Sequence, residues 1–198
     1  MLFVRKRKST PKKDFYPDDN KIHLYWGTYG VKANTSKEHH AFLVIPGEEI
    51  DSEEFCELAL SCAEKMLSLN PVVLNNLYCY PLEPVEGTLS EDDCVKRYVE
   101  QGGNPVFAAK NELYTVSKGI DRQLVECVPK EVYGYYGLLF YGYNLIEGAS
   151  FHRGLTIHYH EDHQYLEVIA PTQIERYLSV ARDYLGSHGK EVVFMGYE

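Results

Sequence analysis

The sequence predicts an α+β fold, in which a largely antiparallel or mixed sheet carries helices packed mainly on one of its faces. Two observations predict this class. Strand-like segments rich in aromatic and β-branched residues occupy both ends of the chain and concentrate between residues 132 and 169. The helix-like segments fall among them without the regular strand–helix alternation that is typical of a parallel, doubly wound sheet.

The length and composition fit one globular domain. The chain has 198 residues, of which 44% are hydrophobic and 25% charged, and both fractions are close to globular averages. Residues 5–21 are polar and include Pro11 and Pro17. We therefore expect a flexible, basic N-terminal arm over residues 1–20 and a single α+β domain over residues 21–198.

Eight segments have strand character. The first, residues 23–31, is HLYWGTYGV, and the second stops at Pro46-Gly47. The fifth is the longest and contains five tyrosines. In chain order, the predicted strands are 23–31, 40–45, 72–80, 112–117, 132–146, 150–160, 164–169 and 191–195.

The clearest of four predicted helices follows the second strand. Its apolar residues recur at helical spacing, with a polar stripe opposite them. Asp51 or Ser52 can cap its start, and Asn70-Pro71 closes it. The apolar stripe consists of Phe55, Leu58, Ala59, Cys62, Met66 and Leu69.

Three further helices are predicted later in the chain. They cover residues 90–101, 120–128 and 172–185. Gly102-Gly103 ends the first of these, because glycine readily adopts the left-handed conformation that follows many helices. Thr172 and Glu175 have the spacing of a capping box at the start of the last one.

Several features favour a cytoplasmic protein. No segment has the roughly 20 consecutive apolar residues that a membrane-spanning helix needs. The basic residues near the start are not followed by the apolar stretch of a secretory signal. The five cysteines contain no C-x-x-C pair and are typical of small buried hydrophobes in a reducing compartment.

The net charge of −9 hides an asymmetry along the chain. Residues 1–13 carry six of the 20 cations and no acid, which leaves 14 cations against 29 acids, or −15, for residues 14–198. A body this acidic repels nucleic-acid phosphates and attracts a basic partner. Nucleic-acid binding is therefore expected, if at all, only through the arm from Arg5 to Lys13.

Acidic residues cluster before two of the predicted helices. Carboxylates at a helix start stabilise its unpaired amides and its dipole, and this structural interpretation accounts for most of them. The surplus negative charge also favours a cationic protein partner. The acids that we predict to contact it are Glu48, Glu49, Asp51, Glu86, Asp92 and Asp93.

Tyrosine is unusually frequent, with 17 in 198 residues. On a strand over residues 132–146, Tyr133, Tyr135, Tyr141 and Tyr143 share one face by the two-residue period. Gly137 falls on that face, and the nearby glycines can mark a bulge or bend. The tyrosines fit either cross-strand packing or a recognition face for a partner.

The histidines near residue 160 suggest a rival, metal-dependent enzyme. The string from His158 to His163 matches H-x-H-x-D-H, the metal signature of the metallo-β-lactamase fold. The match covers six residues, comes late in the chain and leaves one histidine downstream, so we interpret it as coincidental. Alternatively, His158 and His160 share one strand face, and a hairpin after them would bring Glu167 opposite His158. That arrangement fits either a metal site or a His–Glu pair without a metal.

Other catalytic signatures are absent from the sequence. The chain contains no P-loop, no G-x-S-x-G, no dinucleotide-binding glycine motif and no H-E-x-x-H. A cysteine–histidine pair brought together by folding is still compatible with the sequence, although no cysteine has an electropositive neighbourhood. We therefore expect a protein that is not an enzyme and uses no cofactor.

The first half of the chain resembles a group of bacterial immunity proteins against polymorphic toxins. These proteins open with a strand that carries an aromatic-Trp-Gly element, although an arginine usually follows it where Thr28-Tyr29 stand here. The elements that carry the resemblance are Tyr25-Trp26-Gly27, Cys62-Ala63, Asn70-Pro71-Val72, Tyr78 and Gly102-Gly103. The resemblance implies an inhibitor that binds a cognate toxin and performs no chemistry.

The sequence therefore predicts a non-enzymatic, acidic binding protein, with toxin neutralisation as its narrower role. The partner would contact the four tyrosines of residues 132–146 and the two acid clusters. The alternative is a metal-dependent enzyme built on His158, His160, His163 and Glu167.

Overall fold

A computed structural model describes residues 21–30, 37–44, 52–81, 93–128, 133–146, 150–160 and 165–196. These residues form nine strands and four helices, which confirms the α+β class, with strands predominant. No helix among them is both long and apolar enough to cross a membrane. The predicted N-terminal arm lies outside these ranges.

The elements follow the predicted order closely. All eight predicted strands form, with ends that differ by a few residues, and a short strand after the second helix is added. The elements are β1 (Ile22–Gly30), β2 (Lys37–Val44), α1 (Ser52–Leu67), β3 (Val72–Pro81), α2 (Asp93–Glu100), β4 (Phe107–Ala109), β5 (Glu112–Ser117), α3 (Gln123–Glu126), β6 (Tyr133–Ile146), β7 (Ser150–His160), β8 (Tyr165–Ala170), α4 (Ile174–Ser187) and β9 (Val192–Gly196).

The chain divides into two compact units. The first combines residues 1–66 with residues 164–198 and contains β1, β2, α1, β8, α4 and β9. The second covers residues 67–163 and contains β3, α2, β4, β5, α3, β6 and β7. The prediction of a single domain over residues 21–198 stays a prediction.

In the first unit the strands lie in the order β8-β2-β1-β9. The pairs β8–β2 and β2–β1 are antiparallel and the pair β1–β9 is parallel, so the strand pairing in this unit is mixed. Leu24, Leu43 and Leu166 line up across three strands and are buried. Helix α4 covers the same face, since Arg182 stacks 4.5 Å over the ring of Phe194, the partner of Leu24 on β9.

The two long helices of this unit differ in how well the sequence predicts them. In α1, four residues of the predicted apolar stripe, Leu58, Ala59, Cys62 and Met66, are buried as expected. In α4, the predicted capping box is wrong. The helix begins at Ile174, its N-cap is Gln173 in the left-handed conformation at φ 57°, and no side chain caps it. Thr172 therefore lies one residue too early to act as the cap.

In the second unit the strands lie in the order β4-β5-β3-β6-β7, and every pair is antiparallel. One face of these strands is a packed core. Leu77, Leu138 and Tyr159 form one row across it, and Phe140 lies in the next row between Asn75 and Ile157. These side chains are all buried.

Helices α2 and α3 cover this core face. Tyr98 of α2 donates a hydrogen bond to Asp121 over 2.7 Å, and the Asp121 amide donates to Asn75 over 2.9 Å. Gly102, at φ 89°, ends α2 in the left-handed conformation, as the sequence predicts. In this unit the helices described thus pack on one face of the strands.

The cysteines are mostly buried, as predicted, while Cys56 is half-buried. In the second unit the sulfurs of Cys79 and Cys94 lie 3.3 Å apart without a disulfide. The Cys94 thiol and burial together raise the pKa of Cys79, and the same two causes raise the pKa of Cys127. Such protonated thiols are poor nucleophiles.

Candidate functional site

The face of the second unit opposite α2 and α3 is rich in tyrosine, and we call it the tyrosine face. It carries Tyr78 on β3, Tyr114 on β5, and Tyr141 and Tyr143 on β6, all half-buried. The register places Tyr78, Tyr114 and Tyr141 in three adjacent cross-strand rows, and Tyr143 follows in the next row, between Val72 and Arg153. The three rows are Glu112–Tyr78–Gly137–His160, Tyr114–Asn76–Leu139–His158 and Val116–Leu74–Tyr141–Thr156.

The structure confirms part of the tyrosine pattern predicted for β6. Unbroken alternation against β3 places Tyr141 and Tyr143 on the tyrosine face, and the backbone of Tyr135 pairs with Tyr80 in the same register. The predicted two-residue alternation is wrong at Tyr133. The register shifts between Tyr80 and Pro81, and Gly134 is the extra residue in β6. A bulge of this kind interrupts the two-residue period, so Tyr133 lies opposite Pro81 and leaves the alternation. The side chains of Tyr133 and Tyr135 lie outside the described part of the chain.

Tyr78 reaches across the face to His158. Its hydroxyl forms a hydrogen bond with Nε2 of His158, and the two ring centroids lie 5.6 Å apart. Gly137 separates them on the intervening strand, and a Cβ atom there would overlap the Tyr78 ring. The absence of a side chain at residue 137 therefore permits this pairing of phenol and imidazole.

Two more tyrosines on the face have charged neighbours. The Tyr114 hydroxyl donates to Oε2 of Glu112 over 3.1 Å, and burial with this carboxylate raises the pKa of Tyr114. The guanidinium of Arg153 lies 5.9 Å from the centre of the Tyr141 ring. Burial raises the pKa of Tyr141, and Arg153 opposes that shift. Both phenols are therefore neutral hydrogen-bonding groups at physiological pH.

Apolar side chains continue the face toward the edge strand. Phe107 on β4 is 56% exposed and packs against Tyr114, with ring centroids 5.2 Å apart. Val116 on β5 is 51% exposed and lies in the same row as Tyr141. Together they extend the aromatic surface into solvent.

A cavity of about 410 Å³ opens on this unit. The side chain of Asn76 is only 2% exposed and lies on the tyrosine face, beside the Tyr78–His158 pair. Glu112 adds a carboxylate, and Lys110 adds an exposed ammonium. The lining residues are Asn76, Tyr78, Cys79, Lys110, Asn111, Glu112 and Leu139. The lining thus combines apolar and aromatic side chains with amide and charged groups, which can fix the orientation of a bound group.

The predicted acidic contacts lie mostly outside the described residues. This is true of Glu48, Glu49, Asp51, Glu86 and Asp92. The sixth, Asp93, is the first residue of α2 and is half-buried, where its charge suits the positive end of the helix dipole. Its role in partner binding stays a prediction.

The predicted metal ligands do not form a cluster in the part of the chain that the structure describes. No group of three or more histidine, cysteine or acidic residues there is arranged to hold a metal ion. His158 contacts Tyr78, and Glu167 is buried in the first unit with its Oε1 3.2 Å from Nδ1 of His40. The side chain of His160 and the whole of His163 lie outside the described residues.

Sequence reasoning missed the residues that join the tyrosines into a surface. The sequence places Tyr78, Tyr114, Asn76 and Glu112 on predicted strands without indicating that they share a surface. Each sits on a predicted strand, so the two-residue period assigns it to one of two faces. Only the register between strands shows that these faces coincide with that of Tyr141.

The comparisons with known proteins name no relative. No protein-family model, curated protein or solved structure matches the chain. The function is therefore argued from the geometry of the tyrosine face and from the charge of the chain.

Proposed function

We propose that this chain is a non-enzymatic binding protein whose tyrosine face contacts a cationic protein. The narrower proposal is an immunity protein that neutralises a cognate toxin by direct binding. The observation that carries the proposal is the set of adjacent rows that hold Tyr78, Tyr114 and Tyr141 on one face and include the exposed side chains of Phe107 and Val116.

The composition of this surface suits protein recognition. Tyrosine combines a rigid apolar ring with a hydrogen-bonding tip, and it is enriched among residues that dominate binding energy. Four tyrosines lie on this face of the second unit, and the raised pKa values of Tyr114 and Tyr141 keep those two hydroxyls protonated at physiological pH. A partner that covers them gains apolar burial and hydrogen bonds together.

The charge of the chain supports a cationic partner. Residues 14–198 carry 14 cations against 29 acids, or −15. Such a field accelerates association with a basic protein and weakens as salt screens it. The similarity of the first half of the chain to immunity proteins supports a toxin as that partner.

The proposal is tested with the protein encoded beside this chain's gene. A large toxin with a variable C-terminal domain is expected there, and co-expression with this chain should restore growth. The purified toxin domain should be retained at about 0.05 M NaCl and released progressively toward about 0.5 M. A partner that is acidic, or whose binding does not respond to salt, would remove the electrostatic part of the proposal.

A matched pair of variants locates the binding surface. Val116→Ser removes an apolar side chain that is 51% exposed on the tyrosine face, and Val99→Ser removes one that is 50% exposed on α2. We expect Val116→Ser to weaken binding roughly fivefold, since burying that exposed area contributes on the order of 1 kcal/mol. Val99→Ser should leave the affinity unchanged. Equal effects of the two variants would exclude the tyrosine face as the contact surface.

A further inference from the structure

We propose that the cavity beside Glu112 is a site for a guanidinium group, occupied by an arginine side chain of the partner. The inference rests on the proposed function only for the source of that arginine. The cavity, of about 410 Å³, lies in the second unit and is large enough for a small ligand or a long side chain.

Two hydrogen-bond acceptors in the cavity have capacity left for a ligand. Glu112 accepts the Tyr114 hydroxyl at Oε2, and among the described residues nothing donates to its Oε1. Asn76 is only 2% exposed. Its side-chain amide donates one long hydrogen bond, of 3.5 Å, to the carbonyl of Leu77. Within the described chain its Oδ1 accepts no hydrogen bond. Both oxygens can therefore accept a hydrogen bond from a ligand that enters the cavity.

The spacing of these acceptors favours a guanidinium over an ammonium. Glu112 pairs with Tyr78 across β5 and β3, and Asn76 lies two residues from Tyr78 on the same strand face. The backbones of such diagonal neighbours on paired strands are about 7–8 Å apart, so their side chains can approach the same ligand. A guanidinium presents five N–H donors in a planar fork and can bridge two acceptors, while an ammonium acts as a point charge.

The remaining walls suit the rest of an arginine side chain. The Tyr78 ring provides an aromatic surface for a cation, and Leu139 provides an apolar surface for methylene groups. Lys110 also lines the cavity and competes electrostatically with an entering cation. Its side chain is exposed, so its ammonium can turn to solvent when a ligand binds.

The inference is tested on the full chain with Nα-acetyl-L-argininamide as the probe. We expect saturable binding with a dissociation constant on the order of 1 mM, as befits a ligand of this size. In ¹⁵N-resolved NMR spectra, the shifts should concentrate at Asn111, Glu112 and the Asn76 side-chain amide. The neutral isostere Nα-acetyl-L-citrullinamide should bind at least tenfold more weakly, and the lysine analogue should bind less well than the arginine probe.

Charge variants at the cavity decide the outcome. Glu112→Gln should reduce probe affinity at least fivefold, while Glu100→Gln, on the exposed end of α2, should not change it. Lys110→Gln should strengthen binding because it removes the competing cation. Circular dichroism shows whether each variant is folded, and the Lys110 result stands even if Glu112→Gln unfolds. Equal binding of the arginine and citrulline probes, or no response to either charge variant, would overturn the inference.

The same measurements separate this site from the proposed function. Specific probe binding in a chain that captures no cationic protein supports the cavity and contradicts the proposed function. Capture of the partner with no probe binding at about 10 mM contradicts the cavity alone, since that concentration exceeds the expected dissociation constant about tenfold.

Discussion

Gly137, which has no side chain, determines the arrangement of the tyrosine face around Tyr78. The Tyr78 ring lies where a Cβ atom at residue 137 would be, and this position lets Tyr78 reach His158. We expect Gly137→Ala to destabilise the fold by about 1–3 kcal/mol, because the ring must move out of a packed position. Urea denaturation measures this loss, and the NMR signals of His158 should shift with it.

Gly119→Ala is the matched control for this prediction. A Cβ atom at residue 119 meets no atom within 4 Å, so its effect should stay within about 0.5 kcal/mol. If the two variants have the same stability, the packing of Tyr78 over Gly137 contributes nothing to the fold.

At the scale of the element, Tyr98 attaches α2 to the strands of the second unit. Its hydroxyl donates to Asp121, which also accepts from Thr115 and whose amide donates to Asn75. Burial, followed by the hydrogen bond to Asp121, raises the pKa of Tyr98 above its usual range near 10. The folded chain therefore holds the phenol proton at a pH where the unfolded chain has lost it.

This difference predicts a loss of stability in alkali. The contribution of Tyr98 is complete below about pH 10 and decreases as the pH rises through the raised pKa of the folded state. Tyr98→Phe lacks the hydroxyl, so it should be about 1 kcal/mol less stable than the parent at pH 8. The gap between the two should shrink toward pH 11. Urea denaturation at pH 8 and pH 11 measures the difference in unfolding free energy between the two proteins. A difference that stays constant or widens would show that the Tyr98 proton does not contribute to stability in this way.

Two elements show where local sequence signals are insufficient. The strand β6 has the predicted range within a residue, but the bulge at Gly134 removes Tyr133 from the alternation. The helix α4 forms where its apolar stripe predicts, but Gln173 replaces the predicted Thr172 cap. Periodicity locates an element because burial acts along its whole length, while a bulge or cap depends on contacts with other segments.

At the scale of the whole molecule, the distribution of charge predicts how the chain responds to nucleic acid. The arm over residues 1–13 carries six cations, whereas residues 14–198 carry −15. We expect no measurable binding to single-stranded DNA at about 0.15 M salt, because repulsion by the acidic body exceeds the attraction of the short arm. Fluorescence anisotropy of a labelled oligonucleotide measures this.

Neutralising the arm is the control for that prediction. Replacing Arg5, Lys6, Arg7 and Lys8 with glutamine should abolish any weak retention seen at about 0.05 M salt, since those residues hold most of the positive charge there. Strong DNA binding at about 0.15 M that disappears in this variant would assign the arm a nucleic-acid role.

The sequence by itself determined the α+β class, the eight long strands and the excess of acids in the body. These properties follow from local periodicity and composition, which are complete before the chain folds. The tertiary structure decided that Tyr78, Tyr114 and Tyr141 share a face and that Asn76 and Glu112 line one cavity. Strand register sets those neighbours, and register depends on pairing between residues far apart in the chain, which a two-residue period cannot specify.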